Sequence, residues 1–200
     1  MRTRWSRRRF HEGDAVEALA EYFLRVDAEV RGEDLLIHRA EVDRVREIAE
    51  LIVTGTGVKV LHVTLGGFDT HYTELNRHDA LMNYLDSAIT AFHDDLTAYG
   101  MADRVMIATW SEFGRRPKEN ASGGTDHGTA SPIFLIGDGV KGGLYGETPN
   151  LSKLDQLGNL SYAVDFRAVY QEILASHLGV DAKEILGQSF DRVPFVKAAA

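Results

Sequence analysis

Cysteine occurs nowhere in this chain. That absence excludes disulfide staples and all thiolate chemistry, and it fits any compartment. Long apolar runs are missing as well: none approaches the ~20 residues that cross a bilayer. There is no excess of positive charge. Lys and Arg number 22 against 30 Asp and Glu, a formal net charge of -8. Recognition of a nucleic-acid backbone, which rests on basic side chains neutralising phosphates, does not fit that balance as a main function. Internal repeats and low-complexity stretches are also lacking. The start, "MRTRWSRRRF", carries arginines before Phe10 in the manner of a twin-arginine export signal. The following "HEGDAVEALAEYF" is acidic and amphipathic where a signal peptide needs an apolar core. The expectation is a solvated basic start without a working signal, hence a cytoplasmic chain. A longer parent bearing a twin-arginine signal would be periplasmic or secreted.

What is present is ordinary globular material, 44% hydrophobic and 26% charged over 200 residues, enough for one sizeable core. Val16, Leu19, Ala20, Phe23, Val26 and Val30 recur at helical spacing between Asp14 and Arg31. Val42, Val45, Ile48, Leu51 and Ile52 mark a second amphipathic helix closing near Gly55. Residues 1–55 are therefore expected to be a helical segment packing on a sheet, and 56–200 the α/β part of the same domain. "VKVLHVTL" (Val58–Leu65) is β-branched and apolar on both faces, as a central parallel strand is. A helix follows, with Leu81, Leu85, Ala88, Ile89, Phe92, Leu96 and Tyr99 on one stripe and Gly100 at its end. "RVMIATW" (Arg104–Trp110) reads as a second buried strand, which makes a right-handed βαβ unit. "PIFLIGDG" (Pro132–Gly139) reads as a third strand, and the helix-free stretch before it as a long loop. Without a crossover helix, that third strand is expected to run antiparallel. A last helix is predicted from an Asp165 N-cap to Leu178, with Gly179 closing it. "KGGLYG" precedes no helix, so it is a turn cluster and not a phosphate-binding loop.

Ligands of open parallel sheets gather at the carboxyl ends of the strands. "GGFDTH" ends the first strand with Asp69 and His71, and "SEFGRR" follows the second with Ser111, Glu112, Arg115 and Arg116. "GGTDHG" brings Asp126 and His127 just before the third strand, reaching the same edge if that strand is antiparallel. In extended backbone, residues two apart face the same way, so Asp69 and His71 can share one cation. Carboxylate and imidazole suit Zn²⁺, Mn²⁺ or Fe²⁺ better than Ca²⁺. Each feature has a plainer alternative: a turn acid beside a surface histidine, solvated helix histidines at His78 and His93, a packed core residue at His62. Arg115 and Arg116 form either an anion clamp or a solvated pair. Ser111 invites a nucleophile reading, although a nucleophile elbow would need glycine where Thr109 stands.

"GGFDTH", "SEFGRRPKEN" and "GTDHGTASPIFLIGDGVKGG", in this order, resemble a bacterial family known as domain of unknown function 1501. The resemblance runs from about Val58 to Phe195. More distantly, that family resembles the alkaline phosphatase and sulfatase superfamily. The resemblance implies a three-layer α/β/α sandwich with a mixed, mainly parallel sheet, incomplete in this chain, and a divalent transition metal, Zn or Mn foremost. Asp69, His71, Glu112, Asp126 and His127 would be its ligands or their partners, with His78 a rival to His71. Arg115 would hold the anion of a phosphate or sulfate ester. Phe113 stands where the superfamily places a further metal-binding histidine, which argues against a second metal. The chain looks like the C-terminal half of such a protein, since Thr3 and Ser6 follow no strand that would present a nucleophile. The leading expectation is a metal-dependent hydrolase-like domain acting on a small anionic ester. The alternatives are a non-catalytic module binding a cell-surface polymer or a partner protein, and a serine hydrolase using Ser111 with His127.

Overall fold

A computed structural model describes residues 47–49, 51–55 and 57–198. The predicted helix over Asp14–Arg31 lies outside the described residues. The chain divides into two compact units, Met1–Val63 and Thr64–Ala200. In the first, residues 47–49 and 51–54 are helical, as the spacing of Ile48, Leu51 and Ile52 predicts, and Ile48 and Ala49 are buried.

Val58–Leu65 departs from expectation. It belongs to no strand ladder among the described residues. Val60 is 70% exposed, and His62, expected in a packed strand, is exposed as well. A β-branched run becomes a strand only where neighbours take up its backbone N–H and C=O groups and its side chains; propensity alone does not suffice.

The second unit is mixed α/β. Helix α1 spans Glu74–Ala98 and buries Leu81, Phe92 and Leu96 of the predicted stripe. It ends in a Schellman-type closure: Gly100 is left-handed (φ 67°), and the Met101 N–H returns to the Leu96 carbonyl at 2.8 Å. Its start is unusual. Thr73 lies in the left-handed region at φ 43° and caps nothing with its hydroxyl. The backbone N–H groups of Thr73 and Glu74 donate instead to the carbonyls of Ser122 and Gly123, at 3.2 and 3.0 Å. Two donors that a helix start leaves orphaned are thus satisfied by another element.

Strand β1, Ile107–Ala108, follows a 3₁₀ turn at Ala102–Arg104. It pairs antiparallel with β4, Leu135–Ile136, so the third predicted strand does run antiparallel to its neighbour. The ladder is shorter than the apolar runs suggested. Between these strands the expected loop is a β-hairpin. Strands β2, Gly114–Glu119, and β3, Thr125–Gly128, pair antiparallel, with Arg115 opposite His127 and an irregularity between Arg115 and Glu119. Pro117, which has no N–H to donate, falls inside that irregular stretch. Both sheets among the described residues are two-stranded and antiparallel.

Helix α2, Phe166–Glu172, begins at the predicted N-cap: the Asp165 carboxylate accepts from the Arg167 N–H at 2.9 Å. It runs on as one π-helical stretch, Ile173–His177, and a short helix α3, Ala182–Leu186, follows. Among the described residues, Val169, Phe195 and Val196 form a core cluster, with Met106, Ile133, Leu135, Val164, Ile173 and Val193 packed against it.

Candidate metal centre

The site is built by the segment leading into α1 and by the β2–β3 hairpin. Asp69 and His71 sit two residues apart on the first, and His127 sits in β3 on the second. The His71 Nε2 lies 2.9 Å from Asp69 Oδ1, and the His127 Nε2 lies 2.7 Å from the same oxygen. The two Nε2 atoms are 3.1 Å apart. All three ligand atoms fall within 4.8 Å of one another. The hydrogen bond from His127 is the main influence holding the Asp69 carboxyl below its ordinary range, with the charge of both histidines adding to it. The groups are open to solvent, with side-chain exposures of 66% for Asp69 and 43% for each histidine.

Three donors of this kind suit a divalent transition ion. Tetrahedral zinc with bonds of about 2.0–2.1 Å sets its ligands roughly 3.3 Å apart. The histidine nitrogens at 3.1 Å are already close to that separation. The carboxylate oxygen, at 2.7 and 2.9 Å, would open by about half an ångström. Three protein ligands with a further position left for a small molecule is the pattern of catalytic zinc sites rather than closed structural ones.

The pleat of the hairpin sorts the other candidates. Adjacent residues of a strand face opposite sides. His127 and Arg115, paired across the ladder, share one face with Phe113. Asp126 is on the other face, 3.9 Å from an Arg116 nitrogen and accepting from Asn120 Nδ2 at 3.4 Å. Asp126 is therefore not brought among the three converging donors. Glu112 is exposed and lies outside that set. His78, the rival to His71, lies on α1 with its ring edge-on to Phe68 at 5.9 Å between centroids. His93 pairs with Asp138 at 3.5 Å.

Ser111 donates its hydroxyl to the Phe113 carbonyl at 2.6 Å. A hydroxyl turned to a backbone carbonyl is not in the hands of a base. Arg115 is likewise committed, to the Thr125 carbonyl at 2.6 Å and the Phe68 carbonyl at 2.5 Å. Phe113, at the position where the resemblance places a metal-binding histidine, stacks flat on His127, with centroids 3.7 Å apart and planes at 9°.

Two residues that shape the site, Asn120 and Gly124, carried no sequence signal beyond marking a turn. Asn120 donates from Nδ2 to the His71 carbonyl at 3.0 Å and accepts at Oδ1 from the N–H groups of Ser122 and Gly124. It thereby closes the hairpin turn and ties it to the ligand loop. Gly124 lets the two segments touch: a Cβ there would lie 2.5 Å from the His71 carbonyl carbon and 2.6 Å from its oxygen. The run Asn-Ala-Ser-Gly-Gly over residues 120–124 is a turn signal, and it was the one available pointer to the hairpin.

The fold and site together define a mixed α/β chain with a solvent-open His–His–Asp cluster assembled from two separate segments. The family described as Protein of unknown function (DUF1501) matches residues 27–193, most of the chain, and the chain belongs to that family. No curated protein and no solved structure matches it. Among the described residues, no helix is long and apolar enough to cross a membrane.

Proposed function

We propose that this chain binds one divalent transition metal ion through Asp69, His71 and His127, and that the centre belongs to a hydrolase-like domain acting on phosphate or sulfate esters. The observation that carries the reading is the convergence of the three donors from segments 56 residues apart at their nearest ligands. A bound ion would supply Lewis-acid polarisation of an ester oxygen and stabilise developing charge. The chain's own residues prepare for it. Asp69 stays ionised and offers an anionic oxygen, while His71 and His127 present their Nε2 atoms to the same point. Phe113 holds the His127 ring plane and shields one of its faces from water.

The distant likeness to the alkaline phosphatase and sulfatase superfamily, and the three-layer α/β/α sandwich that goes with it, belong to this proposal. In that frame the chain contributes the metal grip. Ser111 and Arg115 do not serve there as nucleophile and anion clamp, because both are engaged with backbone carbonyls. Those same two engagements favour a second reading, a metal-binding module without catalysis that recognises a polymer or partner. Metal analysis and calorimetry with Zn²⁺ and Mn²⁺ test the centre, and aryl phosphate and aryl sulfate turnover with each metal separates the two readings. Wild-type binding unchanged in both Asp69→Ala and His127→Ala would remove these residues as ligands.

A further inference from the structure

We propose that Arg115 is a positioning residue whose single guanidinium sets the distance between the two halves of the metal centre; the assignment rests on the reading of Asp69, His71 and His127 as metal ligands. The guanidinium is permanently charged and presents a rigid planar fork of donors. Here each of its nitrogens faces a different part of the site. One terminal nitrogen donates to the Thr125 carbonyl at 2.6 Å, two residues before His127. The other donates to the Phe68 carbonyl at 2.5 Å, on the peptide leading into Asp69, and reaches the buried Thr70 hydroxyl at 3.4 Å. The Nε faces a Glu74 carboxylate oxygen at 3.6 Å, at the start of α1, three residues after His71. Glu74 in turn accepts from the Thr125 hydroxyl at 2.8 Å. The network closes on itself around the ligand-bearing segments.

Burial strengthens this arrangement. The Arg115 and Glu74 side chains are 23% and 14% exposed, so water screens the pair far less than a surface ion pair. Hydrogen bonds from a charged donor to carbonyls are also stronger than neutral ones. Arg115 acts on a second coordinate too: its Cζ lies 5.2 Å from the centroid of the Phe113 ring that stacks on His127. Arg115 and His127 thus both lie against the Phe113 ring, which links the His127 ring plane to the guanidinium. Lysine carries the same charge on one nitrogen and cannot bridge the Phe68 and Thr125 carbonyls with a planar fork. Charge alone therefore does not replace Arg115.

The experiment compares Arg115→Lys, Glu74→Gln and the control Arg116→Lys, which lies on the opposite face of the hairpin, with wild type. Far-UV circular dichroism monitors the fold. Co²⁺ titration reads affinity and, through its visible absorption, ligand geometry. In metal-free protein, NMR reads the through-space contact between the His71 and His127 rings and the upfield shift that the Phe113 stack imposes on His127. The expected result is Co²⁺ affinity about 10–100-fold weaker in folded Arg115→Lys, as for other residues that orient metal ligands. Its cobalt spectrum changes, and the ring contact and upfield shift are reduced. Glu74→Gln shows the same changes to a smaller extent and serves alone if Arg115→Lys does not fold; Arg116→Lys matches wild type. Wild-type affinity, spectrum and ring contact in folded Arg115→Lys overturn the assignment, as does a wild-type Glu74→Gln where only that variant folds. If wild type takes up no Co²⁺, the metal reading falls by itself. The metal-free NMR comparison then decides the positioning role, with an unchanged ring contact overturning it.

Discussion

Replacing Gly124 by alanine probes the assembly of the site with one methyl group. The added Cβ would stand 2.5 Å from the His71 carbonyl carbon, 2.6 Å from its oxygen and 2.9 Å from the Tyr72 nitrogen. All three are backbone atoms, so no side chain can swing aside. Restoring an ordinary separation of 3.4 Å from 2.5 Å requires the hairpin turn and the ligand loop to part by about 0.9 Å. The Asn120 bond to the His71 carbonyl, at 3.0 Å, stretches with that movement, and so do the bonds from Thr73 and Glu74 to the turn. Inserting a methyl group into a closed contact costs about 1–3 kcal/mol. For a chain of this length the midpoint of thermal unfolding falls by about 2–12 °C. Zn²⁺ affinity should fall too, because His71 and His127 are on opposite sides of the contact. The control is Gly142→Ala: nothing lies within 4 Å of a Cβ there and its φ is not left-handed, so stability should hold within about 0.5 kcal/mol. Differential scanning calorimetry and zinc calorimetry read both variants. A Gly124→Ala protein that melts with wild type and binds zinc equally would refute the account of how the two segments meet.

Asp165→Ala should cost about 0.5–2 kcal/mol in denaturant titration, since it removes the cap that accepts from the Arg167 N–H. Burial depresses the His177 pKa below its ordinary 6.5. The folded state thus disfavours its proton, and the stability tied to neutral His177 is present above pH 6.5 and lost as pH falls through the depressed value. His177→Gln should flatten the stability profile in that window. The carboxyls of Asp69, Asp155 and Asp165 are held below their ordinary 3.8, chiefly by hydrogen bonds from His127, Asn159 and Arg167. Their contribution is full above that pH and disappears as pH falls further, so Asp155→Asn should reduce the loss of stability in an acid titration. Ser111→Ala should leave Zn²⁺ affinity within twofold of wild type, because its hydroxyl serves the Phe113 carbonyl; a tenfold loss in calorimetry would contradict that placement.

The parts of this molecule governed by local spacing were legible in the sequence. The stripe from Leu81 to Leu96, the Gly100 stop and the Asp165 cap follow from periodicity and end chemistry, and all appear, whereas Tyr99, expected as the last residue of the stripe, is exposed. Asp69, His71 and His127 were readable as donors by residue type and position beside apolar runs, and the three do converge. The hairpin was not legible. "GRRPKE" has no alternation of apolar and polar residues, and it carries a proline, so nothing local distinguishes it from a loop. With the hairpin unseen, the pleat that separates Asp126 from His127 was unseen as well. Arg115 showed its charge but not its partners, two of which are carbonyls of residues 10 and 47 positions away. Main-chain acceptors leave no trace in residue identity. Val58–Leu65 erred in the other direction: its composition is that of a central strand, and composition cannot say which strands stand beside it.

The Ser122 and Gly123 carbonyls that receive the first amides of α1 make the hairpin turn and the helix start one cooperative piece. Neither can fray without exposing the other's polar groups, so the amides of Thr73 and Glu74 should exchange with solvent in step with those of the turn. An opening at this junction should therefore loosen the segments that carry His71 and His127 together rather than one at a time.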